Sequence, residues 1–261
     1  MQTQSKTQKI AVTGATGRLG SHLVETLEQR GHDVVPIARS KGVDVVSGEG
    51  LDEALVGAET IIDAATGPSP DEQEATAFFT ASARNVQRVG AAAGVKRIVV
   101  VSIIGIDKFE RGYNAAKVAQ EQTLLEGPLP VRIVRAAQFH EFVDELVGWM
   151  VQDGVAYLPE FRTQLVAARV VAEALADAAE EPEIQTGRIT EIAGPREERL
   201  AEAAAALFAS RGDSLDIREG RGGTLTEPGD PDAAAYADGA ALPNPGAKLA
   251  GPSFEDWLAA G

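Results

Sequence analysis

A phenol and an ammonium stand four residues apart in Tyr113-Asn114-Ala115-Ala116-Lys117, which puts both on one face of a helix. A cation beside a phenol favours phenolate and would lower the Tyr113 pKa toward a range useful for proton transfer. Ser102 closes the most β-branched run of the chain, and its hydroxyl is placed to polarise a carbonyl. Upstream, Gly14-Ala15-Thr16-Gly17-Arg18-Leu19-Gly20 has the composition of an anion cradle. Glycine is needed there where the backbone turns, where it approaches a diphosphate and where helix meets strand. A helix that starts at such a loop presents unpaired N–H groups and a positive dipole end to the anion.

These residues require particular elements to hold them. With 27 glycines in 261 residues the triplet means little by itself. Its context carries the weight: an apolar strand over 9–13 before it, an amphipathic helix over 18–30 after it, and a further strand from Asp33. Strands are expected over 33–38, 43–46, 60–64, 97–101 and 131–134. Helices are expected near 51–55, over 71–93 and over 113–126. This alternation predicts an α/β fold, a doubly wound parallel Rossmann sheet with a small C-terminal α/β substrate region. The division is set at 1–138 for the NAD(P)-binding Rossmann domain and 139–261 for the smaller region, intermingled with the first. Beyond Phe139 the pattern reads as helices near 141–151, 166–179, 197–210 and 254–258, strands near 188–193 and 214–218, and a long loop over 219–251 rich in Gly, Pro and Asp.

Which dinucleotide the loop takes is decided at the end of the second strand. A carboxylate there would hold ribose hydroxyls and favour NAD(H). This chain has Ile37-Ala38-Arg39-Ser40-Lys41 instead, so Arg39, Ser40 and Arg18 suit a 2′-phosphate, and NADP(H) is preferred over NAD(H). The cofactor set is therefore Gly14, Thr16, Gly17, Arg18, Leu19, Gly20, Arg39 and Ser40. Ala64, Ala65 and Thr66 join it, because small residues after the fourth strand let the backbone approach the cofactor. Gln138, Phe139 and His140 follow the sixth strand and are candidates to line a substrate pocket, with His140 able to titrate near neutrality. The first helix and the turn after it carry His22 and His32, neither with metal-ligand spacing, so no metal is expected. Trp149, Met150 and Trp257 read as packing residues.

Bulk charge narrows the partners. Lys+Arg 24 against Asp+Glu 39 gives 24 − 39 = −15, which disfavours nucleic acid and anionic membranes. Local N–H groups can still bind an anionic cofactor. There is no cysteine, so disulfides, thiolate metal sites and a cysteine nucleophile are excluded. The polar start MQTQSKTQK and the absence of a long apolar run make a soluble cytoplasmic protein the expectation. Either long helix can face a second copy, so a homodimer stays open.

Taken together, Gly14 to Gly20, Ser102, Tyr113 and Lys117 resemble the short-chain dehydrogenase/reductase superfamily. The stretches 101–107, 116–121, 135–139 and 254–258 are similar to its atypical, NmrA-like and NAD(P)H-binding branch. The resemblance implies a Rossmann domain, a bound nicotinamide cofactor, Tyr113 as acid/base, Lys117 positioning cofactor and phenol, and Ser102 orienting the carbonyl. Ten residues separate Ser102 from Tyr113, fewer than in most catalytic members. Several members of the branch bind NADP without turning over a known substrate. Three functions follow as expectations: an NADPH-dependent oxidoreductase acting on a small carbonyl, quinone or enone; a non-catalytic NADP(H)-binding redox sensor with a regulatory protein partner; and a nucleotide-sugar epimerase-like enzyme.

Overall fold

The computed structural model describes residues 7–182, 188–220 and 231–260. It opens β1 (Lys9–Thr13), α1 (Arg18–Gln29), β2 (Asp33–Ile37), α2 (Leu51–Ala54), β3 (Thr60–Asp63) and α3 (Glu72–Ala93). It continues with β4 (Arg97–Ile103), α4 (Gly112–Leu125), β5 (Val131–Ala136), α5 (Val143–Gly148), β6 (Val151–Gln152), β7 (Val155–Pro159), β8 (Arg162–Thr163) and α6 (Ala168–Glu180). The remainder is β9 (Arg188–Ala193), β10 (Glu198–Arg199), α7 (Leu200–Ser210), β11 (Asp216–Gly220), α8 (Pro231–Ala237), β12 (Lys248–Leu249) and α9 (Phe254–Ala260).

The main sheet has seven parallel strands in the order β12-β9-β5-β4-β3-β1-β2. From β1 the chain goes first to β2 on one side and then to β3 on the other. The order therefore reverses at β1, and a ligand crevice belongs outside the carboxyl ends of strands at such a point. The strand expected over 43–46 is absent. Asp44 captures the nearby Val46 N–H at 2.7 Å and Ser47 N–H at 3.3 Å, and this local turn competes with strand pairing.

Contact density divides the chain into two compact units, the first made of residues 1–102, 112–135 and 171–190. Its strands are apolar on both faces because helices cover both, as a parallel sheet requires. One face buries Ile37, Leu51, Ile61, Val86, Ile98, Leu124 and Ile133. Asp71 caps α3 by accepting the Glu74 N–H at 3.0 Å, and Gly94, at φ +81°, ends it in the left-handed conformation.

The second unit comprises residues 103–111, 136–170 and 191–261. It holds a three-stranded sheet, β11-β7-β6, and the pair β10-β8. Its core gathers Val143, Val147, Leu158, Phe161, Leu200 and Phe254. Two elements depart from the expected loop over 219–251: α8 and the short β12 both lie inside it. Residues 221–230 of that loop lie outside the described residues. The Gly and Pro content masked the Ala-rich segment 231–237, whose Tyr236 stacks on Phe109 at 4.4 Å and fixes it. Similarly, the helix expected over 141–151 stops at Gly148, and the chain then turns through Asp153 and Gly154, both at positive φ, into the β6–β7 hairpin.

Candidate functional site

The glycine loop joins β1 to α1 and each glycine has its own reason. Gly14 sits at φ +66°, and a Cβ there would lie 2.6 Å from the Ala64 carbonyl oxygen. A Cβ on Gly20 would lie 2.1 Å from the Gly14 carbonyl oxygen, so helix and loop meet backbone to backbone. Gly17 is tight but less so, at 3.2 Å from that same oxygen. The helical ladder begins with the Ser21 N–H donating to the Gly17 carbonyl at 2.9 Å. The N–H groups ahead of it are the orphan donors of a helix start, and no acidic side chain occupies the first turn to neutralise them. Thr16, Gly17 and Arg18 are exposed at this end, while Leu19 and Gly20 are buried. The cradle fits a dinucleotide diphosphate.

Next to it, β3 ends in Asp63 and runs into Ala64-Ala65-Thr66. Ala64 and Ala65 supply the backbone against which Gly14 packs. The Thr66 hydroxyl pairs with the Tyr113 phenol at 2.9 Å. The structure thus brings the glycine loop, the 64–66 segment and Tyr113 together at the carboxyl edge of the sheet. Tyr113 packs edge-on against Phe79 at 5.5 Å, and α4 lies along α3 there.

Lys117 does not play the electrostatic part expected of it toward Tyr113. Its ammonium is buried, 5% exposed, and donates to the Val101 carbonyl at 2.9 Å and to the Gln120 side-chain oxygen. The Phe79 ring lies 4.6 Å from it. Burial pulls the Lys117 pKa down to about 8 against the opposing pull of Asp63 and Glu121. Tyr113 moves in the direction opposite to the expectation. Its pKa is raised by burial, which outweighs the Thr66 hydrogen bond, and the phenol stays protonated at neutral pH. Ser102 is also further inside than expected: it is buried and its Oγ has no hydrogen-bond partner among the described residues.

After β2, Arg39, Ser40 and Lys41 form a single 3-10 turn closed by Gly42 at φ +80°. Arg39 and Ser40 are exposed. The Arg39 side chain has no hydrogen-bond or ion-pair partner among the described residues, so its guanidinium is available to an anion.

A family profile described as NAD(P)H-binding matches residues 14–182, more than half of the chain. The chain belongs to the NAD(P)H-binding family. The match starts on the first glycine of the loop and runs through Tyr113 and Lys117. MoeE5, solved with UDP-glucuronic acid and NAD, has a similar fold: TM-score 0.70 at 18% identity, covering 96% of each chain. The NADPH-dependent quinone oxidoreductase QOR2 of Escherichia coli, solved with NADPH, gives 0.67 at 18% identity, covering 96% of this chain and 99% of that one. WbmG of Bordetella bronchiseptica, solved with NAD, gives 0.69 at 18% identity, covering 99% and 94%. These three likenesses show a shared Rossmann-like α/β fold. A 4-hydroxy-tetrahydrodipicolinate reductase of Natronomonas pharaonis is 31% identical over 160 residues, 60% of this chain and 54% of that protein. This chain spans about half the length of that relative. No described helix is long and apolar enough to cross a membrane.

For a member of the NAD(P)H-binding family, the missed residues are Asp63 and Gln120. Both are buried polar groups beside Lys117, and neither belongs to a short motif. The available signal was Asp63 itself, an acid ending the otherwise apolar run Ile61-Ile62.

Gln138, Phe139 and His140 belong to the second unit. The Gln138 side-chain oxygen accepts the Thr163 hydroxyl at 2.7 Å, and Phe139 bridges to Val166. His140 is 1% exposed, wedged against Phe254 at 5.3 Å and Trp257 at 5.4 Å, with neither ring nitrogen hydrogen-bonded among the described residues. Burial lowers its pKa, outweighing Glu141 and the nearby Leu165 carbonyl, so it is a neutral packed ring at neutral pH. Trp149, expected to pack, is 52% exposed and touches Phe142 edge-on. The lowered His140 pKa has a consequence for stability. The unfolded chain takes up the proton first, so the stabilisation is full above the ordinary histidine pKa and is lost as pH falls below it. His140→Phe keeps the ring contacts and removes the titration. Melting temperature against pH should therefore fall less steeply on the acid side in the variant than in the parent; parallel slopes would contradict this.

Proposed function

We propose that this chain is an NADPH-dependent reductase acting on a small carbonyl, quinone or enone. The observation that carries the reading is the Tyr113 hydroxyl held by Thr66 at the sheet edge where the glycine loop opens. A bound nicotinamide cofactor would supply the hydride. Tyr113 then serves as the proton donor, and its raised pKa suits it: the phenol arrives protonated and gives its proton to the developing alkoxide. Lys117 would assist by positioning the cofactor rather than by charging Tyr113, and Ser102 would orient the acceptor. Gln138, Phe139 and His140 belong to the substrate region, with His140 contributing shape rather than acid/base chemistry.

Gly14, Thr16, Gly17, Leu19 and Gly20 would hold the diphosphate, beside Ala64 and Ala65. Arg39, Ser40 and Arg18 would take the 2′-phosphate. The Arg39 guanidinium, without a partner among the described residues, supports NADP(H) over NAD(H). One charge-assisted hydrogen bond to phosphate contributes about 1.5–3 kcal/mol, so Arg39→Ser should weaken NADPH binding roughly 10- to 100-fold. NADH binding should be unchanged. Fluorescence titration of both nucleotides checks this, and equal losses for both would remove Arg39 from discrimination.

A second reading has its own support. The buried Ser102 hydroxyl and the inward Lys117 favour an NADP(H)-binding redox sensor that acts on a partner protein without turnover. Spectrophotometry of NADPH oxidation over a carbonyl, quinone and enone panel separates the two. Turnover of any member supports the reductase; tight binding with no oxidation supports the sensor.

A further inference from the structure

Lys117 sits at one end of a continuous chain of hydrogen bonds inside the first unit. Its ammonium donates to Gln120 Oε1, and Gln120 Nε2 donates to Asp63 Oδ2 at 3.0 Å. Asp63 Oδ1 in turn accepts the Thr13 hydroxyl and, at 3.3 Å, the Ala65 N–H. Thr13 and Asp63 are cross-strand partners in the register of β1 and β3. All four side chains are buried: Thr13 0%, Asp63 1%, Gln120 1% and Lys117 5% exposed. Thr13 directly precedes Gly14, and Ala65 is packed against Gly14, so the far end of the chain is the floor of the glycine loop.

The orientation of the Gln120 amide is dictated from both sides. An ammonium has only donors and a carboxylate only acceptors, so the carbonyl must face Lys117 and the amide nitrogen must face Asp63. The amide therefore links two buried opposite charges with no unmet polar atom between them, the condition under which buried charges are tolerated. A packing residue would not need this polarity.

We infer that Gln120 and Asp63 are positioning residues that hold the Lys117 ammonium at the Val101 carbonyl and tie it to the strand ends carrying the glycine loop. The functional weight of this relay rests on the proposed role of Lys117, but its geometry belongs to the cofactor-free chain. The charged groups facing Lys117 are Asp63 from β3 and Glu121 from α4. Glu121 is already held by Arg135 of β5 through two bonds of 3.0 and 2.9 Å, so of the two acids Asp63 is the one without another cation among the described residues.

The test is the titration of the Lys117 side chain by NMR in cofactor-free protein, its signal assigned by loss in Lys117→Arg. Gln120→Met disconnects the ammonium from Asp63 and should move the titration midpoint down, on the order of one pH unit from its starting point near 8. Asp63→Asn keeps an acceptor oxygen for the Gln120 amide and removes only the negative charge, so it also moves the midpoint down. Gln120→Glu puts an acid beside the ammonium and should move it up. Opposite shifts from Met and Glu at one position mark an electrostatic relay, and Gln120→Glu with Asp63→Asn suffice should the Met variant not fold. Unchanged midpoints in the folded variants would overturn the inference. Because no turnover is read, the two claims separate. Shifted midpoints with full activity in Tyr113→Phe would keep the relay and remove the proposed mechanism; unshifted midpoints with an inactive Tyr113→Phe would do the reverse.

Discussion

Gly20→Val is expected to lose NADPH affinity by on the order of 100-fold or more and to melt well below the parent. The cause is geometric. Even a bare Cβ at this position would stand 2.1 Å from the Gly14 carbonyl oxygen, so α1 must slide off the loop. That displacement moves the helix-start N–H groups away from the diphosphate, and losing two charge-assisted bonds at about 1.5–3 kcal/mol each is enough for the stated drop. Overpacking adds a stability cost of about 1–3 kcal/mol. Gly14→Ala should behave similarly, since it meets Ala64 backbone at 2.6 Å and adds left-handed strain at φ +66° of about 1–2 kcal/mol. Gly17→Ala should be the mildest of the three, with its contact at 3.2 Å. Isothermal titration with NADPH and thermal melts give the ranking; equal behaviour of Gly17 and Gly20 variants would contradict it.

The second large effect is on chemistry. Tyr113→Phe should lower kcat on the order of 100- to 10,000-fold while NADPH affinity stays at the parental level. The phenyl ring keeps its edge contact with Phe79, and Thr66 at the exposed end of the lost hydrogen bond can turn to water, so the fold is undisturbed. The pH profile carries a further signature. With the phenol pKa raised, the reductive rate should not fall through phenol ionisation at neutral pH. An alkaline limb near 8 would belong to Lys117 and should survive as a residual limb in the phenylalanine variant. Steady-state kinetics across pH for both proteins check this, and an unaltered kcat in Tyr113→Phe would remove the phenol from the mechanism.

Much of this architecture was legible from local patterns. The run Arg97-Ile98-Val99-Val100-Val101 is β-branched and uninterrupted, as a strand buried on both faces must be, and it forms β4. The glycine loop was legible because strand, turn and helix signals coincide around it. What was not legible depends on side-chain direction in three dimensions. The Tyr113/Lys117 spacing places two groups on one helical face, but only the packing of α4 against α3 and β4 shows that the ammonium turns inward to Val101. Asp63 and Gln120 are far apart in the chain and meet only through sheet register and helix placement. Asp44 and the Ala-rich segment 231–237 show the converse. An Asx turn overrode a β-branched pair, and aromatic packing by Tyr236 held a helix inside a Gly- and Pro-rich stretch.

In the proposed reaction a dinucleotide held on the Gly14–Gly20 loop is used for reduction, with Tyr113 as proton donor. The most direct measurement is to supply NADPH carrying deuterium at the transferable C4 position and follow the label by mass spectrometry across the carbonyl, quinone and enone panel. Deuterium should appear in a reduced product with the parent protein, with a large drop in its rate of appearance in Tyr113→Phe. Tight NADPH binding with no label leaving the cofactor in any reaction would contradict it and leave the redox sensor as the function.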